Sequence, residues 1–125
     1  MKRDLDLVRA ILVTAEDSSR VVSEGELLEL DDDIHKLAFH VELMVEHGLI
    51  VGSVTYDGFR TRPLSIEVHH VTWQGFDYLD AIRSPKVWDK AKKVIAKSVG
   101  DTSLSVVKQT CQAIAWQMIQ QQIGL

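Results

Sequence analysis

The feature that most constrains this chain is a change of apolar period near its middle. Ile34, Leu37, Ala38, Val41, Met44 and Val45 recur at three- and four-residue spacing, which places them on one face of a helix. Asp31, Asp32 and Asp33 stand where that helix needs a cap, because a short carboxylate can accept its first unpaired backbone N–H groups. Gly48 marks the stop, since glycine takes left-handed backbone without steric cost, and Leu49 can fold back over it. The period then shortens to two. Ile50 to Tyr56 reads as a strand, Asp57-Gly58 as a two-residue hairpin turn, and Phe59 onward as the returning strand, with Pro63 breaking or bulging it. Leu64, Ile66 and Val68 alternate with Ser65, Glu67 and His69.

Helices flank this switch. From Asp4 to Glu16, the residues Leu5, Val8, Leu12 and Ala15 share a face, and Asp4 and Asp6 suit the positive end of the helix dipole. The stretch from Ser18 to Leu30 is ambiguous. Ser23 and Glu26 have capping-box spacing for a short helix, yet Val21-Val22 and Leu27-Leu28 read equally as strand pieces. Thr72 caps a third helix with Trp73, Phe76, Leu79 and Ile82 along one side. Ser84-Pro85 opens a fourth, which turns Val87, Trp88, Ala91, Val94 and Ile95 inward and its lysines to water until Gly100. A last helix starts near Thr102 or Ser103 and runs almost to the end.

This order predicts an α+β fold: a winged helix-turn-helix-like core of helices and a β-hairpin wing over residues 1–84, with additional C-terminal helices over 85–125. The second segment either packs on the core within a single compact domain or forms a dimer seam. A chain of 125 residues with 46% hydrophobic and 26% charged residues has the composition of one folded domain. No apolar run approaches the roughly 20 residues that cross a bilayer. Cys111 is a lone cysteine and the opening residues lack a signal-peptide pattern, so the expectation is a cytoplasmic protein without membrane contact.

Three blocks add a resemblance. They are Met1-Lys2-Arg3-Asp4-Leu5-Asp6-Leu7-Val8-Arg9, then His40-x-x-Leu43-Met44-Val45-Glu46-x-Gly48-Leu49-Ile50, and Val71-Thr72-Trp73-x-Gly75-x-x-Tyr78-Leu79-Asp80-x-Ile82-Arg83. Together they resemble a family of uncharacterised bacterial and prophage-encoded proteins, formally a domain of unknown function. The resemblance implies a winged-helix-like fold and frequent occurrence on mobile elements. It carries over no catalytic residue.

Charge narrows the function classes. Residues 1–46 hold 12 acids and 5 bases, whereas residues 47–125 hold 6 acids and 9 bases. In a winged helix that reads duplex DNA, the helix before the hairpin enters the major groove, and phosphate contacts supply most of the affinity. Here that approach carries Glu24, Glu26, Glu29, Asp31, Asp32 and Asp33, with no Lys or Arg among them. Those six acids are the candidate surface for a protein partner. The candidate DNA contacts are Arg60 and Arg62, just past the turn, and Lys86, Lys90 and Lys93. A solvated helix face accounts for the lysines without any ligand.

The last helix offers a different lead. Leu104, Val107, Cys111, Ile114 and Met118 repeat at 3-4-3-4 spacing, a narrow seam for another helix in the same chain or in a second copy. Ala115, Trp116 and Ile119 lie off that seam. Nothing converges on catalysis, a cofactor or a metal. Cys111 sits on the apolar seam, His69 and His70 point to opposite faces of a strand, and no metal-spacing motif accompanies His40 and His47. The leading expectation is a non-enzymatic regulator or adaptor that acts through protein contacts, as a homodimer. The alternative is a double-stranded DNA-binding regulator using the wing and the lysine-rich helix.

Overall fold

The computed structural model describes residues 1–100 and 102–124. Among them lie six helices and three strands: α1 (Leu5–Asp17), β1 (Val22–Ser23), α2 (Glu24–Leu27), α3 (Ile34–Glu46), β2 (Ile50–Tyr56), β3 (Pro63–Val71), α4 (Trp73–Ile82), α5 (Pro85–Ser98) and α6 (Leu104–Gln122). The fold is therefore α+β, and its small antiparallel sheet has the strand order β1-β3-β2. The chain divides into two compact units, residues 1–76 and 77–125, with the division inside α4.

In the first unit, each long helix starts at an aspartate. The Leu7 N–H donates to Asp4 Oδ1 at 3.2 Å, and the N–H groups of His35 and Lys36 donate to Asp33 Oδ1 at 3.0 and 3.2 Å. Of the three aspartates before α3, Asp33 is thus the cap. α1 buries Leu7, Val8, Ile11, Leu12 and Ala15, and packs on β3 and α3. α3 buries Leu37, Ala38, His40, Val41 and Met44, and packs on β2 and β3. Ile66 and Val68 of β3 are also enclosed, while Ser53 and Thr55 of β2 are exposed. The sheet is thus covered on one side and wet on the other, as antiparallel sheets allow. Each enclosed Leu or Ile contributes about 1.5–3 kcal/mol over leaving it in water.

Gly48 ends α3 with φ +81, and the Leu49 N–H returns to the Met44 carbonyl at 2.9 Å. In the ambiguous stretch from Ser18 to Leu30, the strand reading holds at Val22 and fails at Leu27-Leu28, which belong to a short helix. Val22 and Ser23 pair with Val68 and Glu67 as a two-residue strand, and α2 follows at once. Ser23 precedes α2 but makes no side-chain capping bond, so the capping box does not form.

Two larger expectations, on the hairpin turn and on α4, are corrected as well. Asp57-Gly58 is not a two-residue turn. The loop spans residues 57–62, because the Asp57 carboxylate gathers the Thr61 N–H and hydroxyl, each at 2.8 Å, and the Asp57 N–H donates to the Arg62 carbonyl at 3.0 Å. Arg60, with φ 55, takes the left-handed position in that loop. Pro63 begins β3, and the pairing shifts register between Thr55 and Tyr56.

The second correction concerns α4. Trp73 and Phe76 do not face inward with Leu79 and Ile82; they are 85% and 39% exposed. The enclosed side runs through Gly75, Tyr78, Leu79 and Ile82. A Cβ on Gly75 would lie 2.0 Å from the Leu49 carbonyl oxygen, so the first turn of α4 rests on backbone and only glycine fits. Thr72 locks this approach: its hydroxyl donates to the Gly48 carbonyl and accepts from the Gly75 N–H at 3.0 Å.

In the second unit, α5 and α6 pack together. Ser84 caps α5 through the Val87 N–H, with Pro85 in its first turn, and Ser103 caps α6 through the Val106 N–H. Val87, Trp88 and Ala91 are enclosed, as are Val107 and Cys111. Val94, expected inward, is 48% exposed.

Candidate functional site

The acidic segment is largely occupied by the chain's own groups. β1 is so short that β3 outruns it. Where the next backbone partner of β3 would stand, Glu24 Oε2 accepts the Ile66 N–H at 3.2 Å. Glu24 therefore extends the sheet and is not free to meet a partner. Glu26 lies 3.8 Å from Arg20, an exposed pair of small energetic weight. Asp31 Oδ1 accepts the Asp33 N–H at 2.9 Å, while its Oδ2 lies 3.0 Å from Lys36 Nζ. Of the six acids, Glu29 and Asp32 are exposed on the surface without such a task.

Lys36 holds two segments at once. Its ammonium is 2.9 Å from Asp4 Oδ2 as well as 3.0 Å from Asp31 Oδ2. Hydrogen bonds to Asp4 and then Asp31 hold the ammonium well above the ordinary lysine range. Burial pushes the Asp4 carboxyl up, but the bonds from Lys36 and the Leu7 N–H outweigh that and leave it below its usual range. The Asp33 N–H and then Lys36 lower Asp31 in the same sense. Behind this cluster, the Asp4 N–H donates to His40 Nε2 at 2.7 Å. Because Nε2 is thereby the acceptor, Nδ1 carries the proton and donates to the Lys36 carbonyl at 2.8 Å. His40, fully enclosed, is a satisfied core group that ties α1 to α3.

The outward residues of α3 are His35, Glu42, Val45 and Glu46. Glu42 and Glu46, with Val41 and Val45, form one wall of a trough of about 410 Å³, whose other wall is Gly52, Ser53 and Val54 of β2. The Tyr56 hydroxyl donates to Glu42 Oε1 at 2.6 Å, and that acceptor pushes the phenol up. The sequence reading passed over this trough. No sequence signal marks it: Val45 reads with the core stripe, yet it is 37% exposed.

The candidate DNA contacts fall in both units. Arg60 and Arg62 are exposed on the 57–62 loop, Arg60 with its guanidinium 5.0 Å from the centre of the Tyr56 ring. Beside them Phe59 is 88% exposed, a residue not singled out from the sequence. Lys86, Lys90 and Lys93 are exposed along α5. Lys90 and Lys93 border a groove of about 320 Å³ with Val94, Ile114 and Met118 on its floor.

Along the α6 seam, Val107 and Cys111 are wholly enclosed within one chain, and Leu104, Ile114 and Met118 are half-buried. A second copy would reach the ends of that row and not its centre. Burial pushes the Cys111 thiol up to about 11, so it stays protonated at neutral pH. Trp116 and Ile119, on other sides of α6, are 54% and 49% exposed.

Among the described residues, no helix is long and apolar enough to cross a membrane, and no group of three or more His, Cys, Asp or Glu side chains is placed to hold a metal ion. Residues 2–101 match the family described as "Hypothetical protein (DUF2513)", and the chain belongs to that family. It is also 34% identical over 122 residues to a Haemophilus influenzae protein described as "Uncharacterized protein", covering 95% of this chain and 99% of the relative. No solved structure matches.

Proposed function

We propose that this protein is a winged-helix-like, non-enzymatic regulator or adaptor that works through protein contacts. The order helix, short strand, helix, helix, hairpin, with sheet order β1-β3-β2, supports a winged-helix reading of the first unit. In that reading α3 is the element that would enter a DNA groove. The observation that carries the protein-contact reading is the outward face of α3. It presents the exposed Glu42 and Glu46 and no exposed Lys or Arg, and carboxylates facing phosphates repel. An occurrence on mobile elements, which the sequence resemblance implies, suits a protein that acts by engaging a host protein.

The exposed Arg60 and Arg62, together with Lys86, Lys90 and Lys93, support the second reading, duplex binding through the wing and α5. Titration of fluorescent random-sequence duplex DNA across a salt series separates the two. The expected outcome is no binding tighter than about 100 µM at physiological salt, at the weak limit of non-specific binding. Micromolar binding that weakens steeply with salt and is lost in Arg60→Ala/Arg62→Ala would overturn the protein-contact reading. Light scattering on the same sample reports the mass. A value twice 14.1 kDa would support a homodimer, for which the exposed sides of α6 are the candidate contact.

A further inference from the structure

We infer that the trough between α3 and β2 is a docking site for an extended peptide segment with alternating apolar and basic residues, which adds as a fourth strand to the edge of β2. The inference rests on the protein-contact reading and names the chemistry of the partner.

Three observations meet at this place. The first is backbone. In the order β1-β3-β2, the seven-residue β2 pairs with β3 along one edge only. Among the described residues no other hydrogen bond reaches the backbone of Ile50–Tyr56. Proteins commonly cover, shorten or twist away such an edge, because a row of unpaired N–H and C=O groups is a template for another strand. Here that edge is left unpaired among the described residues, and the helix wall of the trough stands beside residues 52–54.

The second is shape. The trough has Val41 and Val45 on the helix side and Gly52, Ser53 and Val54 of the edge strand on the other, so a segment added at residues 52–54 would meet the helix wall. A strand's side chains alternate, so every second residue of an incoming segment would face this wall. Backbone pairing would supply the affinity and the wall the selectivity, which is how strand addition recognises peptides.

The third is charge. Glu42 and Glu46 stand on the lip, four residues apart and exposed, with no Lys or Arg among the lining residues. One oxygen of Glu42 takes the Tyr56 hydroxyl, and Glu46 has no such bond. Two carboxylates on the rim favour lysine or arginine on the incoming strand and disfavour acids. The same two acids argue against a second copy as the occupant, since edge-to-edge pairing of β2 with its twin would bring both lips together.

The test uses the full-length protein, uniformly labelled with 15N, and a soluble peptide alternating Val and Lys. A Val/Glu peptide of the same length and a proline-interrupted Val/Lys peptide serve as controls. The expected result is saturable binding of the Val/Lys peptide alone. Amide shifts should concentrate in residues 41–56, with slowed hydrogen exchange in β2. Glu46→Lys alters an exposed side chain and leaves the fold intact, and it should weaken binding by about fivefold. Failure of the Val/Lys peptide to bind would overturn the inference, as would shifts mapping elsewhere or equal binding of the proline-interrupted peptide. So would a dimer whose dissociation exposes β2. Random duplex DNA titrated into a separate, peptide-free sample keeps the two proposals apart, because a lysine-rich peptide would itself bind the DNA. DNA binding through the wing would sink the protein-contact reading, whereas silence from both probes would remove the docking site alone.

Discussion

Glu24 and Gly75 show how much a single residue can decide here, and each leads to a measurable outcome. Glu24 supplies a carboxylate where β1 runs out of backbone. Glu24→Ala leaves the part-buried Ile66 N–H without its partner and should cost about 1–2 kcal/mol, read from urea midpoints. Glu24→Gln keeps an acceptor oxygen and should recover most of that loss; equal losses would show that the hydrogen bond contributes nothing. Gly75→Ala forces a Cβ into the Leu49 carbonyl and should cost roughly 3 kcal/mol, since overpacking against backbone finds no side chain to move aside. An unchanged midpoint would show that α4 can slide. Both roles were illegible in the sequence for the same reason. Glu24 reads as one more acid in an acidic run. A glycine contributes nothing to an apolar stripe, so Trp73 and Phe76 were assigned the buried face that Gly75 holds.

Element boundaries were the most legible layer, because they rest on local chemistry. Asp4, Asp33, Ser84 and Ser103 each accept an N–H from the turn they open, and Gly48 closes α3 as its position suggested. What local chemistry could not show is that the aspartates are shared across elements. Asp4 caps α1, pairs with Lys36 and offers its N–H to His40, while Asp31 braces both Asp33 and Lys36. The acidic surface read from the sequence was in part the outside of this brace. Its carboxyls titrate below their ordinary value of about 4 in the folded chain, so the stability they add is complete above that pH and fades as pH falls further. Lys36→Met should therefore lower the urea midpoint at pH 7 and flatten its decline as the pH falls below about 4. Parallel curves for the two proteins would mean that Lys36 does not couple to them.

For the molecule as a whole, the charge asymmetry was legible and its use was not. Acids dominate residues 1–46 and bases the remainder, which a count can show. Where each charge is spent depends on neighbours far away in the chain, as the 42 residues between Glu24 and Ile66 illustrate. The α6 seam carries the same lesson. Heptad-like spacing fits a partner inside or outside the chain, and here Val107 and Cys111 have found enclosure inside one. The trough beside β2 was invisible because it needs an α3 residue and a β2 residue to be neighbours, and no periodicity records that.

The open edge of β2 has a consequence for the protein in concentrated solution. A seven-residue strand with one unpaired edge is the kind of surface from which ordered aggregates grow, one copy templating the next. Glu42 and Glu46 stand guard over it. Any copy that approaches edge first brings the same two carboxylates, so stacking piles negative charge on negative charge, and the chain can leave one strand edge unpaired and remain dispersed. Dissolved salt screens that repulsion, which makes concentrated salt the condition under which this fold would be lost to fibres.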